Sequence, residues 1–133
     1  MSDTTRLKYL KFALVAVGVI FIAGIYLLMI VWPSGWTWHT GHSDYPLMIV
    51  GVYATLGIFL LAAARNPLAN LSLIRFTIWS SVVHALIMAV QAVVSPGSHG
   101  HLLGDVPALL IVAAALAILV PRGQNARLSQ QAA

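Results

Sequence analysis

The sequence predicts an all-α integral membrane protein, folded as a single transmembrane domain of four helices over residues 1–133. Hydrophobic residues make up 60% of the chain and charged residues only 8%, and the mean hydropathy is +0.92. A water-soluble globule needs more polar residues than this to cover its surface. Four separate apolar stretches also occur, to be compared with the roughly 20 residues that a helix needs to cross a bilayer.

In chain order, the predicted spans are about Tyr9 to Trp32, Leu47 to Ala64, Leu73 to Val94 and Val106 to Val120. The first follows basic residues, as a signal peptide would, but its apolar core is longer than the roughly 7 to 15 residues of a signal sequence, and no A-x-A cleavage pattern follows it. We therefore expect a retained helix. The breaker-rich segment from Arg65 to Asn70 predicts that the second and third spans form an antiparallel hairpin.

The fourth predicted span is short. Val106 to Val120 rises only about 22 Å as a helix, against about 30 Å of hydrocarbon. Either the bilayer thins there, or the segment from His99 to Asp105 dips below the headgroups with Leu102 and Leu103 as its apolar anchor. A dipping segment would bring its histidines towards the middle of the bundle.

The basic residues predict the orientation. All seven Lys and Arg residues lie beside the same ends of the predicted spans: Arg6, Lys8, Lys11, Arg65, Arg75, Arg122 and Arg127. The positive-inside rule then places both termini and the middle connection in the cytoplasm. The net charge of +4 favours the lipid bilayer with its anionic headgroups as the partner, and no nucleic acid, because no nucleic-acid motif is present.

Potential metal ligands occur in both predicted outer connections. Each connection holds two close histidines and one aspartate: His39, His42 and Asp44 in the first, and His99, His101 and Asp105 in the second. Imidazole and carboxylate groups bind zinc and copper, so the two connections together could supply a four-coordinate metal site. Two alternatives stay open: the histidines are half-polar residues at the membrane interface, and the aspartates cap the helices that follow.

His84 lies near the middle of the third predicted span, where an ionisable side chain is costly and normally faces the bundle interior. Polar or polarisable residues at helical spacing form a stripe with it: Thr77, Ser80, Ser81, Met88 and Gln91. Tyr53 on the second span is a candidate hydroxyl partner. The candidate cofactor-binding residues are therefore His84, Met88, Gln91, Ser81 and Tyr53. The alternative is interhelical packing through hydrogen bonds.

Four segments carry a resemblance to known proteins: Tyr53 to Pro67, Phe76 to Ala85, Met88 to Gln91 and Gly100 to Pro107. These segments lie in about the C-terminal two thirds of the chain. In them the protein resembles a family of uncharacterised small four-helix bacterial membrane proteins. It is also distantly similar in layout to DoxX-like proteins. The resemblance implies a four-span bacterial protein. It implies no reaction.

Three classes of function are open. The first is an inner-membrane protein with a periplasm-facing, His-rich site that binds zinc or copper or handles protons. The second is a redox subunit that binds haem or quinone, and the third is a non-catalytic assembly subunit of a homo-oligomer or a larger membrane complex. The chain has no Cys, which excludes thiolate metal sites and cysteine catalysis. No catalytic set is identified, so an enzyme is not predicted.

Overall fold

The computed structural model describes residues 2–38 and 45–121 of the chain. Every regular element in these residues is helical, which confirms the all-α prediction for this part of the protein. Four helical spans are long and apolar enough to cross a membrane: the first, Asp3–Val31; the second, Tyr45–Ala63; the third, Pro67–Val94; and the fourth, His99–Leu119. The cytoplasmic location of the termini stays a prediction.

The first span contains one irregular stretch. It is α-helical over Asp3–Val19, π-helical over Ile20–Gly24 and α-helical again over Ile25–Val31. The hydroxyl of Ser2 accepts a hydrogen bond of 3.3 Å from the backbone N–H of Thr5 and so satisfies a donor that the first helical turn leaves free. Because of this cap, the helix begins well before the apolar run that starts at Tyr9.

The second and third spans are joined by a tight turn. The third span starts with the 3-10 turn Pro67–Asn70 and continues as the α-helix Leu71–Val94. Asn66 closes the connection, because its side-chain oxygen accepts from the Ala69 N–H at 3.4 Å and its backbone carbonyl accepts from the Asn70 side chain at 2.8 Å. Proline is suited to the first position of such a turn, since it has no N–H to leave unsatisfied.

The fourth span begins with a 3-10 turn, His99–Leu102, followed by the α-helix Asp105–Leu119. The short helix Pro33–Trp36, which follows the first span, packs against this turn. A Cβ atom on Gly100 would collide with the carbonyl oxygen of Ser34, and one on Gly104 would collide with the carbonyl oxygen of Gly35. The two backbones approach this closely because glycine has no side chain. We call Pro33–Trp36 together with His99–Leu102 the end layer.

The hydrophobic core lies nearest the end of the bundle that carries the start of the first span and the end of the fourth. Its fully buried aliphatic side chains are Leu10, Leu14, Leu60, Ile74 and Leu116. Arg6 joins the same two spans, because its guanidinium donates to the carbonyl oxygen of Ile118 at 2.6 Å. The end layer lies at the opposite end of the bundle.

The outward-facing side chains are largely apolar. Phe12 is 73% exposed and Trp79 is 68% exposed, and the soluble surface of a monomer rarely carries so many exposed large apolar groups. Among the spans, the first packs on the second and the fourth, and the third packs on the fourth, whereas the second and third share few contacts. This sparse contact leaves space between the second and third spans.

Candidate functional site

A cavity of about 240 Å³ lies within the bundle beside the end layer. All four spans contribute to it. Its lining is mainly apolar and aromatic, with a few polar groups, and consists of Ile25, Met29, Trp36, Trp38, Pro46, Ile49, Val50, Tyr53, His84, Met88, Gln91, Asp105 and Leu109. This composition, apolar walls with a few polar groups, is typical of small-molecule sites.

Two residues that line the cavity are also exposed at the surface of the bundle. Ile49 on the second span is 47% exposed, and Gln91 on the third span is exposed as well. The second and third spans share few contacts. Ile49 therefore lies both at the cavity and among the outward apolar side chains.

Tyr53 and His84 form the polar pair on the inner wall of the cavity. The Tyr53 hydroxyl and His84 Nδ1 share a hydrogen bond of 2.6 Å, and which of the two donates depends on the histidine tautomer. The ring of Phe21 meets the ring of Tyr53 edge to face, with 4.8 Å between the ring centroids. Phe21 therefore helps to fix the tyrosine ring that positions His84.

Replacing Tyr53 with phenylalanine is expected to lower the free energy of unfolding by about 0.5–1.5 kcal/mol, because His84 loses its hydrogen-bond partner while the packing of the ring is kept. Thermal unfolding of the detergent-solubilised protein measures the change. Tyr26→Phe is the matched control, because Tyr26 is on the first span and is 50% exposed. Equal stability of the two variants would show that the Tyr53–His84 bond contributes nothing.

Asp105 is the centre of a buried polar cluster on the side of the end layer. The residue is 4% exposed. Its Oδ2 accepts from the Trp38 indole N–H at 2.9 Å and lies 2.8 Å from His101 Nδ1. The Trp38 and His101 rings are stacked with 3.9 Å between their centroids. Gly104 is the N-cap of the helix, without a side-chain cap, so Asp105 binds the end layer instead of capping the helix.

Two buried polar atoms of the cavity lining have no hydrogen-bond partner among the described residues. They are Oδ1 of Asp105 and Nε1 of Trp36, an acceptor and a donor. A buried polar atom without a partner is uncommon, because losing water without gaining a hydrogen bond costs free energy. Neither atom has accessible surface, so both are packed against other side chains and are not open to the cavity.

A second, more polar cavity lies beside the end layer. It is lined by Pro33, Ser34, Thr37, Trp38, Pro96, Gly97, Ser98 and His101. Trp38 lines both cavities. Its stacking partner His101 lines the second cavity and contacts Asp105, which lines the first.

The candidate cofactor-binding residues fall largely in one place. Tyr53, His84, Met88 and Gln91 line the main cavity, whereas Ser81 is buried on the third span and does not line it. Lower on the polar stripe, Thr77 donates to the Leu73 carbonyl and Ser80 to the Thr77 carbonyl. These hydroxyls are satisfied by their own helix, so the lower stripe contributes to helix structure rather than to the cavity.

The predicted metal ligands are not brought together in the residues that the structure describes. Within 2–38 and 45–121, no group of three or more His, Asp or Glu side chains is placed to hold a metal ion. His99 is exposed, and His101 is paired with Asp105. His39, His42 and Asp44 lie outside the described residues, so their part of the metal hypothesis stays a prediction.

Trp36 and Trp38 are site residues that the sequence did not reveal. As tryptophans near a span end, they match the aromatic belt at a membrane interface. Trp38 contributes through its hydrogen bond to Asp105, which lies far along the chain and comes close through the packing of the end layer. The one local signal is the spacing of His101 and Asp105. Residues four positions apart lie next to each other on a helical turn.

Residues 4–132 match the model of a family of unknown function, DUF6632. No curated protein and no solved structure matches the chain. The match covers nearly the whole chain and does not assign it a ligand or a reaction. The likeness to DoxX-like proteins and the bacterial origin stay predictions.

Proposed function

Because the chain belongs to the DUF6632 family, whose description assigns no function, we propose from the geometry that it is a membrane-spanning protein that binds a small, mainly apolar molecule. The observation that carries this proposal is a cavity with largely apolar walls, whose lining includes the hydrogen-bonded pair of Tyr53 and His84. The polar end of the bound molecule would meet this pair. Its apolar part would contact side chains such as Ile25, Met29 and Leu109.

The size of the cavity supports a ligand larger than water. A water molecule takes up about 30 Å³ in the liquid, whereas the cavity holds about 240 Å³. Its walls offer few groups that could order a cluster of waters, since most of them are aliphatic or aromatic. An apolar ring system or a short chain fills such a space with more favourable dispersion and hydrophobic contacts.

We propose that the apolar ligand arrives through the bilayer and enters between the second and third spans, where the lining residue Ile49 is exposed. In a membrane this side chain would contact lipid. A molecule dissolved in the lipid could then enter the cavity without passing through the end layer.

The other functions predicted from the histidines remain hypotheses. Quinone binding is compatible with the proposal, since a quinone is a mainly apolar ring that carries hydrogen-bonding oxygens. Metal binding requires ligands that include residues outside the described part of the chain. Proton handling and an assembly role would involve the same polar cluster, but neither is needed to explain the cavity.

Filling the cavity is expected to weaken binding. The probe is 2-naphthol, and binding is measured as quenching of tryptophan fluorescence in lipid nanodiscs, since Trp36 and Trp38 line the cavity. Val50→Phe puts a larger side chain into the cavity and is expected to weaken binding by at least about tenfold, as steric overlap costs 1–3 kcal/mol or more. Empty nanodiscs give the background from partitioning into lipid.

Val52→Phe is the matched control for this experiment. Val52 is on the same helix as Val50, is 66% exposed and does not line the cavity. Its replacement should leave 2-naphthol binding unchanged. The proposal is wrong if 2-naphthol shows no saturable binding above the nanodisc background, or if both variants bind it as the wild-type protein does.

A further inference from the structure

We infer that His84 presents an N–H donor at Nε2 to the cavity, and that the polar end of the bound molecule is an accepting oxygen: a carbonyl on an apolar body, as in a ketone or a quinone. This inference rests on the proposed function and names the chemical class of its ligand. It depends on the direction of the Tyr53–His84 hydrogen bond and on the nitrogen that this bond leaves free.

The length of the Tyr53–His84 bond indicates which side donates. The Tyr53 hydroxyl oxygen and His84 Nδ1 are 2.6 Å apart. Bonds in which an N–H donates to oxygen usually span about 2.7–3.2 Å, whereas bonds from a hydroxyl donor can be as short as about 2.5 Å. The distance therefore favours Tyr53 as the donor and Nδ1 as the acceptor.

Counting the unpaired groups gives the same direction. The walls around the pair are largely apolar, which favours a neutral imidazole with one N–H. If Nδ1–H donated to Tyr53, both the tyrosine proton and Nε2 would lack a partner, since neither residue makes another hydrogen bond among the described residues. If Tyr53 donates, only the Nε2–H lacks one. The second arrangement leaves fewer polar groups unpaired and is therefore favoured.

Nε2 of His84 differs from the buried atoms of the lining in having accessible surface. In the part of the chain that the structure describes, the buried side-chain polar atoms without a partner are Nε1 of Trp36 and Oδ1 of Asp105. Nε2 has no partner there either, yet it is not one of these buried atoms. Because His84 lines the cavity and is only partly buried, an atom of a bound molecule can reach Nε2.

The other side-chain donors of the described lining are occupied, closed off or turned towards the surface. The indole N–H of Trp38 donates to Asp105 at 2.9 Å, and that of Trp36 has no accessible surface. Gln91 lies on the same helix as His84, but it is exposed at the surface of the bundle. The Nε2–H of His84 is therefore the donor that a molecule inside the cavity meets.

A carbonyl oxygen suits this donor best. It accepts through its lone pairs and brings no proton that would need an acceptor of its own. An ammonium group only donates, so it cannot use the Nε2–H. A hydroxyl accepts as well, but its own proton loses water when it enters apolar walls, which costs free energy.

The test compares two probes of nearly the same shape in lipid nanodiscs: 2-acetonaphthone, and 2-isopropenylnaphthalene, in which a CH2 group replaces the carbonyl oxygen. Calorimetric titration gives both affinities, each corrected for partitioning of the probe into empty nanodiscs. The wild-type protein is expected to bind the ketone about threefold to tenfold more tightly, as one hydrogen bond between neutral groups contributes. Equal affinities would overturn the inference and leave the binding function intact.

His84→Phe keeps a ring in the cavity wall and removes the donor, so the variant should bind both probes with equal affinity. His99→Phe is the matched control, because His99 is exposed and does not line the cavity; it should keep the preference for the ketone. A preference that persists in His84→Phe also overturns the inference, because another group would then donate to the ketone.

Solid-state nitrogen NMR of the protein labelled at its histidines tests the tautomer without a probe. The His84 signals are identified as those that change in Tyr53→Phe. In the wild-type protein we expect a protonated Nε2 and an unprotonated Nδ1, and in Tyr53→Phe a mixture of the two tautomers. A wild-type proton on Nδ1, or no change in the variant, contradicts the inference.

The inference and the proposed function can fail separately. If neither naphthalene probe binds above the nanodisc background, the inference fails, and the titration with 2-naphthol decides whether the proposed function fails with it. A ketone preference that His84→Phe removes and His99→Phe keeps, together with the proton on Nε2, establishes the inference.

Discussion

Replacing Asp105 with alanine is expected to lower the free energy of unfolding by about 2–5 kcal/mol and to weaken 2-naphthol binding. The substitution leaves the Trp38 indole N–H and His101 without the acceptor that they share. Each buried polar group that loses its partner costs about 1–3 kcal/mol. Thermal unfolding in detergent measures the loss of stability, and titration in nanodiscs measures the loss of binding.

Asp105→Asn is the matched control for stability. It has nearly the same shape and retains one oxygen to accept from Trp38 and His101, so most of the stability lost in the alanine variant should be kept. An alanine variant as stable as the wild-type protein would contradict the role of Asp105 in holding the end layer. The buried carboxylate would then contribute nothing to the stability of the fold.

Replacing Gly104 with alanine is expected to separate the two parts of the end layer. An added Cβ would meet the backbone of Gly35. Unlike a side chain, a backbone cannot relieve such a clash by changing rotamer. We expect a loss of about 1–3 kcal/mol, as for other overpacked sites, together with weaker 2-naphthol binding because Trp36 and Trp38 move. Thermal unfolding and titration in nanodiscs again provide the measurements.

Gly51→Ala serves as the comparison for this variant. Gly51 lies in the second span, and a Cβ there would meet nothing within 4 Å. Alanine also favours a helix over glycine by up to about 1 kcal/mol, so this variant should be at least as stable as the wild-type protein. If Gly104→Ala behaves in the same way, the close contact with Gly35 does not hold the end layer.

The helical fold was predictable from hydropathy, because outward-facing positions such as Phe12 and Trp79 are apolar as well as the buried ones. The ends of the spans were less predictable. Asp3 and Pro67 begin helical segments, yet they lie in polar sequence, where the apolar run gives no signal. Local caps and turns decide these ends, and hydropathy does not report them.

The site was predictable where it depends on one helix. His84, Met88 and Gln91 recur at helical spacing on one apolar helix, and all three line the cavity. The other half depends on contacts between distant parts of the chain, such as that of Trp38 with Asp105. No periodicity within a single segment contains this information, so the aspartate had the ordinary pattern of a helix cap.

The π-helical turn at Ile20–Gly24 determines which side chains of the first span line the cavity. A π turn accommodates one residue more than an α turn, and each residue along a helix turns the chain by about 100°. Beyond this turn, Ile25 and Met29 face the cavity. Converting the turn to regular α-helix while keeping all its residues would rotate both side chains by about 100° away from the cavity and redirect the chain that leads to Trp36. The extra residue in the π turn therefore determines which side chains of Ile25–Val31 face the cavity.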